Sequence, residues 1–525
     1  MRVFEFFMGA HYSDSPRSGV DNFVVRYLPV VFLLSIFLVS EPLLAAEQRV
    51  IGMSLKGTKI EASFVDGESE SAPVVLLIGG LEGTGASSRA VQSEATRYEA
   101  ILRNRRAFNL IAISLANPDR TRLQFPPTGV AYRENAEANV LWRWIGVHAP
   151  DLVVIAGEDF GLVQALSQNA VAGIGRIPAV RMEATAGLLN AVPPRLVASQ
   201  AHTEIDKRQN RSPRQVADQL AKVYGHDFDQ LTYLPGMALI GQLRLGNTAE
   251  VVRLAAPYLD GRDNLARANS LTLAGHLVFA ALAERTQDRR YVELVRKAAD
   301  TGFTETGAMK ESMPFHEEMS DSVFMAIPIL AKAGKLTGDK KYFDMAARHL
   351  AFMQKLVLRP DGLYRHSPLT DAAWGRGNAF PAFGLALALS DFPADHPGYE
   401  QMVSAFVQHM EALLPFQNED GLWREVIDEP GAYPEFSATA MIATSMLRGI
   451  RNGWLDSRTY QPAVERAWHA LLPRISSDGV LVDVCESTNK QRTLEDYLHR
   501  AAILDRDPRG GGMALIFATE MAGLQ

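Results

Sequence analysis

The sequence predicts a multidomain protein: an all-α (α/α)6 barrel of helical hairpins, preceded by a smaller α/β domain with a mostly parallel sheet. Two observations predict this class. Short buried β runs alternate with helical patterns in the first 190 residues, and helical segments then recur at a regular spacing up to the C-terminus. With 525 residues, 47% hydrophobic and 22% charged, the chain is long enough for more than one core and is not intrinsically disordered.

Composition also excludes several classes of function. The net charge is -7, without blocks of one sign. Nucleic-acid binding needs clustered Lys and Arg to displace counterions, so no nucleic-acid partner is expected. The only cysteine, Cys485, excludes an intrachain disulfide and a cysteine-rich zinc site.

Residues 1–46 have the pattern of a secretory signal. An apolar run over Leu28–Val39 follows Arg26, and small residues at Ala45–Ala46 provide a cleavage site. The long polar start suggests Met8 as an alternative first residue. We expect a periplasmic or secreted protein without membrane contact after cleavage; if the segment is not cleaved, it anchors the chain in a membrane.

Residues 47–190 are predicted to form the α/β domain. Buried strands separated by helices are typical of a parallel sheet covered on both faces. The predicted strands are Val74–Ile78, Leu110–Leu115 and Leu152–Ala156, and the predicted helices are Ala90–Leu102 and Ala136–Val147.

The order of segments in this domain resembles the zinc carboxypeptidase family. The matching segments are Gly79 to Gly85 (GGLEGTG), Asn117 to Arg120 (NPDR) and Asp151 to Gly157 (DLVVIAG). The positions of the family's two His ligands and its Glu ligand hold Glu82, Gly157 and Gly85. The resemblance therefore implies a peptidase fold without the metal, in which Glu82 and Arg133 line a vestigial cleft. Retained metallopeptidase activity is the alternative.

A polar linker is predicted over 191–211, and the helical domain over 212–525. Ser212–Pro213 is typical of a helix N-cap and first helical position. Two kinds of turn then recur at intervals of about 50 to 60 residues, one with Asp followed by Tyr, the other with Asp-Gly. The spacing fits helical hairpins, and six apolar and six outer helices would close a barrel. An open solenoid is the alternative.

In such a barrel, the residues before each apolar helix meet at one end. These residues are polar, charged or aromatic, and helix N-termini favour an anionic ligand. The segments are Asn269–Ser270, His316 to Asp321, Trp374 to Asn378, Glu435 to Ser437, and Arg509 to Gly512.

Four segments of the helical domain resemble glycoside hydrolase family 105 and, more distantly, family 88, the unsaturated rhamnogalacturonyl and uronyl hydrolases. The segments begin at Met319 (MSDSVFMAIP), Asp361 (DGLYRH), Trp374 (WGRGN) and Tyr433 (YPEFSAT), and they occur in the family's order. The resemblance implies hydration of a 4,5-unsaturated uronic acid at the non-reducing end of an oligosaccharide, without a metal or organic cofactor. A non-catalytic carbohydrate-binding protein is the alternative.

The resemblance also implies roles for individual residues. Asp321 is the expected general acid and base, although it could merely cap a helix. The expected substrate ligands are His316, His366, Trp374, Arg376, Asn378, Glu435 and Ser437. For His366 the alternative is a solvated loop position, for Trp374 core packing, for Arg376 and Asn378 hydrogen bonding within their own loop, and for Glu435 orientation of a neighbour.

One departure from the family concerns a second acidic residue, which many members carry near the start of the apolar helix at about residue 270. This sequence has Asn269–Ser270 there, and Asp263 lies several residues upstream. A carboxylate that would raise the pKa of Asp321 by like-charge repulsion is therefore displaced or absent.

Overall fold

The computed structural model describes residues 46–262, 265 and 268–524. Residues 1–45 of the predicted signal segment and Asp263 therefore lie outside the described residues, and the predictions about export stay predictions. Among the helices that are described, none is both long and apolar enough to cross a membrane.

A six-stranded sheet forms the first part of the described chain. Its strands are β1 (Glu47–Met53), β2 (Lys59–Val65), β3 (Val74–Ile78), β4 (Asn109–Ile113), β5 (Leu152–Ala156) and β6 (Ala179–Met182). Their order in the sheet is β1-β2-β4-β3-β5-β6. The strands β4, β3, β5 and β6 are parallel to one another. β2 is antiparallel to both of its neighbours, β1 and β4. The prediction of an α/β region with a mostly parallel sheet is confirmed.

Helices cover both faces of this sheet. They are α1 (Ala86–Glu99), α2 (Ala136–His148) and α3 (Leu162–Gln168). Leu77 of β3 packs in the cluster that contains α1, while its neighbours Leu76 and Ile78 pack in the cluster that contains α2 and α3. Successive side chains of a strand point to opposite faces, so a continuous apolar run serves two cores.

The predicted linker over 191–211 contains a helix, α4 (Gln200–Gln209), that packs against α2 and the turn at Leu472–Arg474. Ser199 caps it by accepting the His202 backbone N–H. Nδ1 of His202 lies 2.7 Å from the buried carboxylate of Asp151, which also accepts the backbone N–H of Val74. A composition rich in Pro, Ser and Arg does not reveal such tertiary anchors.

The remainder is helical. Its helices are α5 (Pro213–Ala221), α6 (Tyr233–Arg244), α7 (Thr248–Pro257), α8 (Ser270–Gly275), α9 (Leu277–Thr286), α10 (Arg289–Ala299), α11 (Ser322–Thr337), α12 (Lys341–Val357), α13 (Gly375–Leu389), α14 (Tyr399–Leu413), α15 (Phe436–Arg451), α16 (Ser457–Leu471), α17 (Leu494–Leu498) and α18 (Pro508–Met521). Two short antiparallel strands, β7 (Val484–Cys485) and β8 (Ala502–Ile503), lie between them. Ser212 caps α5 and Pro213 is its first residue, as the sequence predicts.

Six of these helices, α6, α8, α11, α13, α15 and α18, are termed here the core helices, because they contribute much of the buried apolar surface. Each contacts the next in that order, and α18 contacts α6. The flanking helices α10, α12, α14 and α16 each pack against the helix that precedes them. This alternation is that of successive helical hairpins.

The predicted Asp-Gly turns are present before three of the core helices. Their glycines, Gly362, Gly421 and Gly479, have φ angles of 84°, 93° and 80°. This left-handed conformation is one that glycine adopts without steric cost. The repeat of Asp-Gly in the sequence thus reflects a repeated backbone geometry.

Candidate functional site

Polar side chains at the starts of four core helices share one environment. Tyr233 begins α6, Asp321 precedes α11, Arg376 lies in the first turn of α13, and Asp507 and Arg509 are at the start of α18. Burial raises the pKa of Tyr233 to about 12, and the charges of Arg376, Asp321, Arg509 and Asp507 all act on it. Elements far apart in sequence therefore surround this position.

Asp321 and His366 face each other at the centre of this region. His366 Nε2 lies 3.3 Å from Asp321 Oδ1, and the His366 side chain is completely buried while that of Asp321 is 15% exposed. The two atoms are not aligned as a hydrogen bond, so each lacks such a partner among the described residues. Because Oδ1 is buried, the exposed part of the Asp321 side chain is on the side of Oδ2.

A tyrosine orients the imidazole from behind. Tyr497 Oη lies 2.7 Å from His366 Nδ1 and accepts the Gln491 backbone N–H at 3.2 Å. The hydroxyl is thereby free to donate to Nδ1, which leaves the ring proton on Nε2, the nitrogen that faces Asp321. The ring of Trp374 packs against His366 with centroids 4.5 Å apart.

A second histidine fixes the start of α11. Nδ1 of buried His349 accepts the Met313 backbone N–H at 3.2 Å, so its Nε2 is the donor, and Nε2 lies 3.0 Å from Ser322 Oγ. Burial lowers the pKa of His349 to about 3, so the ring is neutral at physiological pH. Asp321 precedes the serine that this neutral ring holds.

The loop before Asp321 has an unusual backbone. Phe315, Glu317 and Glu318 have φ angles of 66°, 48° and 56°. Such conformations are costly for residues other than glycine and are typical of functional sites. His316 lies in this loop; its Nδ1 accepts the Glu318 N–H at 2.9 Å, and burial lowers its pKa.

Arg376 lies in the wall of the site and is bonded to backbone carbonyls. Its guanidinium donates to the carbonyls of Cys485 and Glu486 at 2.7 and 2.8 Å and lies 3.6 Å from Glu435. It also stacks over the ring of Trp374, 4.7 Å from the centroid.

Asn378 and the pair of Glu435 with Ser437 are likewise buried and bonded within the protein. Asn378 accepts the Tyr364 backbone N–H at 2.7 Å and donates to the Tyr364 carbonyl at 2.9 Å. These contacts fit the alternative in which Asn378 stabilises the neighbouring loop. Ser437 Oγ donates to Glu435 at 2.8 Å, and the Cys485 N–H donates to the same carboxylate at 2.8 Å.

The position at the start of α8 contains no acidic side chain among the described residues. Asn269 is the N-cap of this helix, and its Oδ1 accepts the Thr272 N–H at 3.1 Å. The asparagine therefore has a local structural role.

Sequence reasoning missed Glu425, a completely buried residue whose two carboxyl oxygens have no hydrogen-bond partner among the described residues. Burial, and then the charge of Glu435, raises the pKa of Glu425 well above its ordinary value. A signal was present: Glu425 is the fourth residue after Gly421, just as His366 is the fourth after Gly362. Superposing the repeats would have found it.

In the first part of the chain, the predicted cleft residue Glu82 lies at the carboxyl end of β3, where its carboxylate accepts the hydroxyl of Ser87. A side-chain carbon built on Gly157 would lie 3.3 Å from Glu82. Arg133 is exposed. Among the described residues, no cluster of His, Cys, Asp and Glu is suited to hold a metal ion. The resemblance to zinc carboxypeptidases stays a prediction.

Comparison with known proteins identifies relatives of the helical part. Residues 214–525 match the profile of Glycosyl Hydrolase Family 88. An unsaturated 3S-rhamnoglycuronyl hydrolase of Alteromonas sp. (strain LOR) is 29% identical over 172 residues, 30% of this chain and 42% of that protein. An unsaturated rhamnogalacturonyl hydrolase of Bacillus subtilis (strain 168) is 25% identical over 210 residues, 38% of this chain and 59% of that protein.

The match thus spans about half the length of these curated relatives. A solved structure, a family 105 glycoside hydrolase from C. acetobutylicum ATCC 824, is similar with a TM-score of 0.52 and 20% identity, covering 59% of this chain and 99% of that chain. At this identity the likeness concerns the fold alone.

Proposed function

The chain belongs to glycosyl hydrolase family 88, and from this premise we propose that it hydrolyses oligosaccharides that end in a 4,5-unsaturated uronic acid. The relatives are named for unsaturated rhamnoglycuronyl and rhamnogalacturonyl substrates. The reaction is hydration of the C4–C5 double bond of the terminal sugar, and the chemistry calls for no metal or organic cofactor.

The observation that carries the proposal is the pair of Asp321 and His366. Asp321 Oδ1 is buried against Nε2 of His366 at 3.3 Å, while the carboxyl keeps 15% exposure on its other side. Contact with the Nε2 edge of this buried imidazole confines Oδ1, so that Oδ2 is the oxygen that can exchange a proton with a bound ligand. Asp321 makes no capping hydrogen bond to its own helix, which also favours a chemical role over a structural one.

The steps follow from the enol ether of the unsaturated sugar. Protonated Asp321 donates its proton to C4, and positive charge develops at C5 and the ring oxygen. Water then adds to C5 and gives up a proton to the carboxylate, which restores the acid. The resulting C5 hemiketal opens to a ketone and leaves C1 as a hemiacetal that still carries the next sugar. Collapse of this hemiacetal to an aldehyde breaks the bond from C1 to the glycosidic oxygen and releases the next sugar as an alcohol. One carboxyl serves both steps because they require opposite protonation states.

We also propose two roles for the other predicted ligands. Trp374 is 1% exposed and His366 is completely buried, so we assign both to the wall that positions Asp321; His316 is partly exposed, and we assign it to direct sugar contact. The others are bonded to one another or to backbone, and we assign them to shaping the wall of the site: Arg376, Asn378, Glu435 and Ser437.

For the helical part we propose the closed (α/α)6 barrel, with the site at one end. Contact between α18 and α6, the last and first core helices, supports closure. An open solenoid would leave these two helices without that contact.

The function can be tested with oligosaccharides generated by polysaccharide lyases. We expect purified protein to remove the absorbance of the conjugated double bond from at least one of them. Asp321→Asn is expected to lower kcat by roughly 10³- to 10⁴-fold, at the upper end for a general acid–base because one carboxyl serves two steps. Thermal unfolding should stay unchanged, since no cap is lost.

Turnover by Asp321→Asn at the wild-type rate would contradict the assigned role. If no lyase product is consumed although some bind, the chain is a carbohydrate-binding protein without this activity.

A further inference from the structure

Two residues of the α/β part converge on one carboxylate of the helical part. Arg143 of α2 and the hydroxyl of Tyr132 both reach Oδ1 of Asp483, at 2.5 and 3.2 Å. The side chains of Arg143 and Asp483 are only 4% and 3% exposed. A buried carboxylate is tolerated where paired cations and donors replace its water.

Asp483 occupies the same repeat position as two residues of the site. It is the fourth residue after Gly479, as His366 and Glu425 are the fourth after their glycines. Its backbone is in the left-handed region, with φ of 65°, and its carbonyl accepts the Phe436 N–H at 2.9 Å. The third copy of the repeat thus places a carboxylate where an earlier copy places the histidine that faces Asp321.

The segment that follows Asp483 forms the wall behind the site. The Cys485 N–H donates to Glu435, and the carbonyls of Cys485 and Glu486 accept from Arg376. Arg376 in turn stacks on Trp374, and Trp374 packs on the imidazole of His366. A continuous set of contacts therefore leads from Arg143 to the histidine.

Apolar packing crosses the same boundary. Ala131, from the loop before α2, belongs to one buried cluster with Trp374, Tyr433 and Tyr497, and Tyr132 packs against that cluster. The rings of Tyr132 and Tyr433 are parallel, with centroids 4.4 Å apart. Tyr497 is the residue that binds Nδ1 of His366.

We infer that Arg143 and Tyr132 of the α/β part are positioning residues for the reaction of the helical part: by clamping Asp483 they hold residues 483–486, and through them the wall that sets Trp374 and His366. The inference rests on the proposed function. It also assigns a role to the α/β part, which serves as a structural support of the proposed carbohydrate site.

Three variants and one control test this inference. Arg143→Met removes the cation, Arg143→Lys keeps the charge without the planar fork, and Tyr132→Phe removes only the hydroxyl while the ring can stay stacked on Tyr433. Gln209→Ala is the control, because Gln209 also joins the two parts, donating to the His469 carbonyl at 2.9 Å, but makes no contact with residues 483–486.

Two readouts are measured below the unfolding temperature of every variant. The first is kcat and KM on the oligosaccharide that the wild type consumes. The second is the rate at which a maleimide labels Cys485, the only cysteine of the chain. This thiol is completely buried, and burial raises its pKa to about 11, so wild-type labelling is slow. Labelling requires no turnover.

Arg143→Met is expected to lower kcat by about 100-fold, the effect of a misplacement of about 1 Å, with a smaller change in KM. Its Cys485 labelling should accelerate at least tenfold. Tyr132→Phe should lower kcat by about tenfold, Arg143→Lys should recover part of the loss, and Gln209→Ala should match the wild type in both readouts.

Wild-type kcat and labelling in folded Arg143→Met and Tyr132→Phe would overturn the inference, as would faster labelling with unchanged kcat. If Arg143→Met does not fold, Tyr132→Phe decides by the same criteria. If the wild type consumes no oligosaccharide, the proposed function fails, and the labelling rates alone decide whether the α/β part holds this segment.

Discussion

The hydroxyl of Tyr497 offers a sharp test of how His366 is held. In Tyr497→Phe the ring can keep its buried place, edge-on to His366 with centroids 5.6 Å apart, so the change isolates one oxygen. That oxygen lies 2.7 Å from His366 Nδ1 and accepts the Gln491 N–H at 3.2 Å. Its loss leaves two groups without their partner.

The magnitude follows from where these groups lie. The Gln491 side of the bond is half-buried, so water can replace the lost partner, whereas His366 is completely buried. An unsatisfied buried polar group costs about 1–3 kcal/mol. If the ring turns or changes tautomer to avoid this cost, Nε2–H no longer faces Asp321, and kcat falls by about 5- to 150-fold.

The assay is the loss of double-bond absorbance, with kcat and KM measured beside thermal unfolding. Tyr98→Phe is a closely matched control, because Tyr98 Oη donates to the Phe108 carbonyl at 2.7 Å and accepts the Phe108 N–H at 3.2 Å, in the core of the α/β part. We expect both variants to lose stability and only Tyr497→Phe to lose kcat. A kcat within twofold of wild type in a destabilised Tyr497→Phe would refute the reasoning.

Two further predictions concern stability. Burial raises the pKa of Glu425, so its contribution to the free energy of unfolding is fully present below the ordinary pKa of 4.5 and is lost as pH rises through the raised pKa. Glu425→Gln should therefore raise the melting temperature at pH 8 but not at pH 4. An equal change at both pH values would contradict this. Glu520 is completely buried among the guanidinium groups of three arginines, Arg244, Arg448 and Arg451. Glu520→Gln should lower the free energy of unfolding by about 3 kcal/mol in denaturant at pH 7. Glu284→Gln, in a partly exposed network with lysines, should lower it by less than about 1 kcal/mol. Similar losses in the two variants would argue against burial as the cause of the larger effect.

The secondary structure was predictable where the signal is local. The apolar runs Val74–Ile78 and Leu152–Ala156 coincide with β3 and β5, because a strand buried on both faces is apolar along its whole length. The Asp-Gly turns were predictable because a left-handed φ strongly favours glycine. The helix α4 was not, since it is held by a tertiary contact of its own residue His202 with Asp151, 51 positions away.

Candidate site residues could be proposed from the sequence, but their contacts could not. Motif order and helix starts identified Asp321 and His366 as candidates. Whether Arg376 and Asn378 face a ligand or their own loop depends on backbone groups that sequence does not position, such as the Cys485 carbonyl 109 residues away. Tyr497, Arg143 and Tyr132 were missed for the same reason; their partners lie 131, 340 and 351 residues distant.

The shared cluster of Ala131, Trp374, Tyr433 and Tyr497 has a consequence for how this protein can be cut and recombined. The family match begins at residue 214, yet a fragment that begins there would expose an apolar face and would leave Asp483 without its contacts to Arg143 and Tyr132. Such a fragment is expected to aggregate or to expose its site wall to water. A chimera that exchanges the helical part between relatives needs to carry residues 131–143 with it, because the segment that matches the family profile is shorter than the segment that packs as one unit.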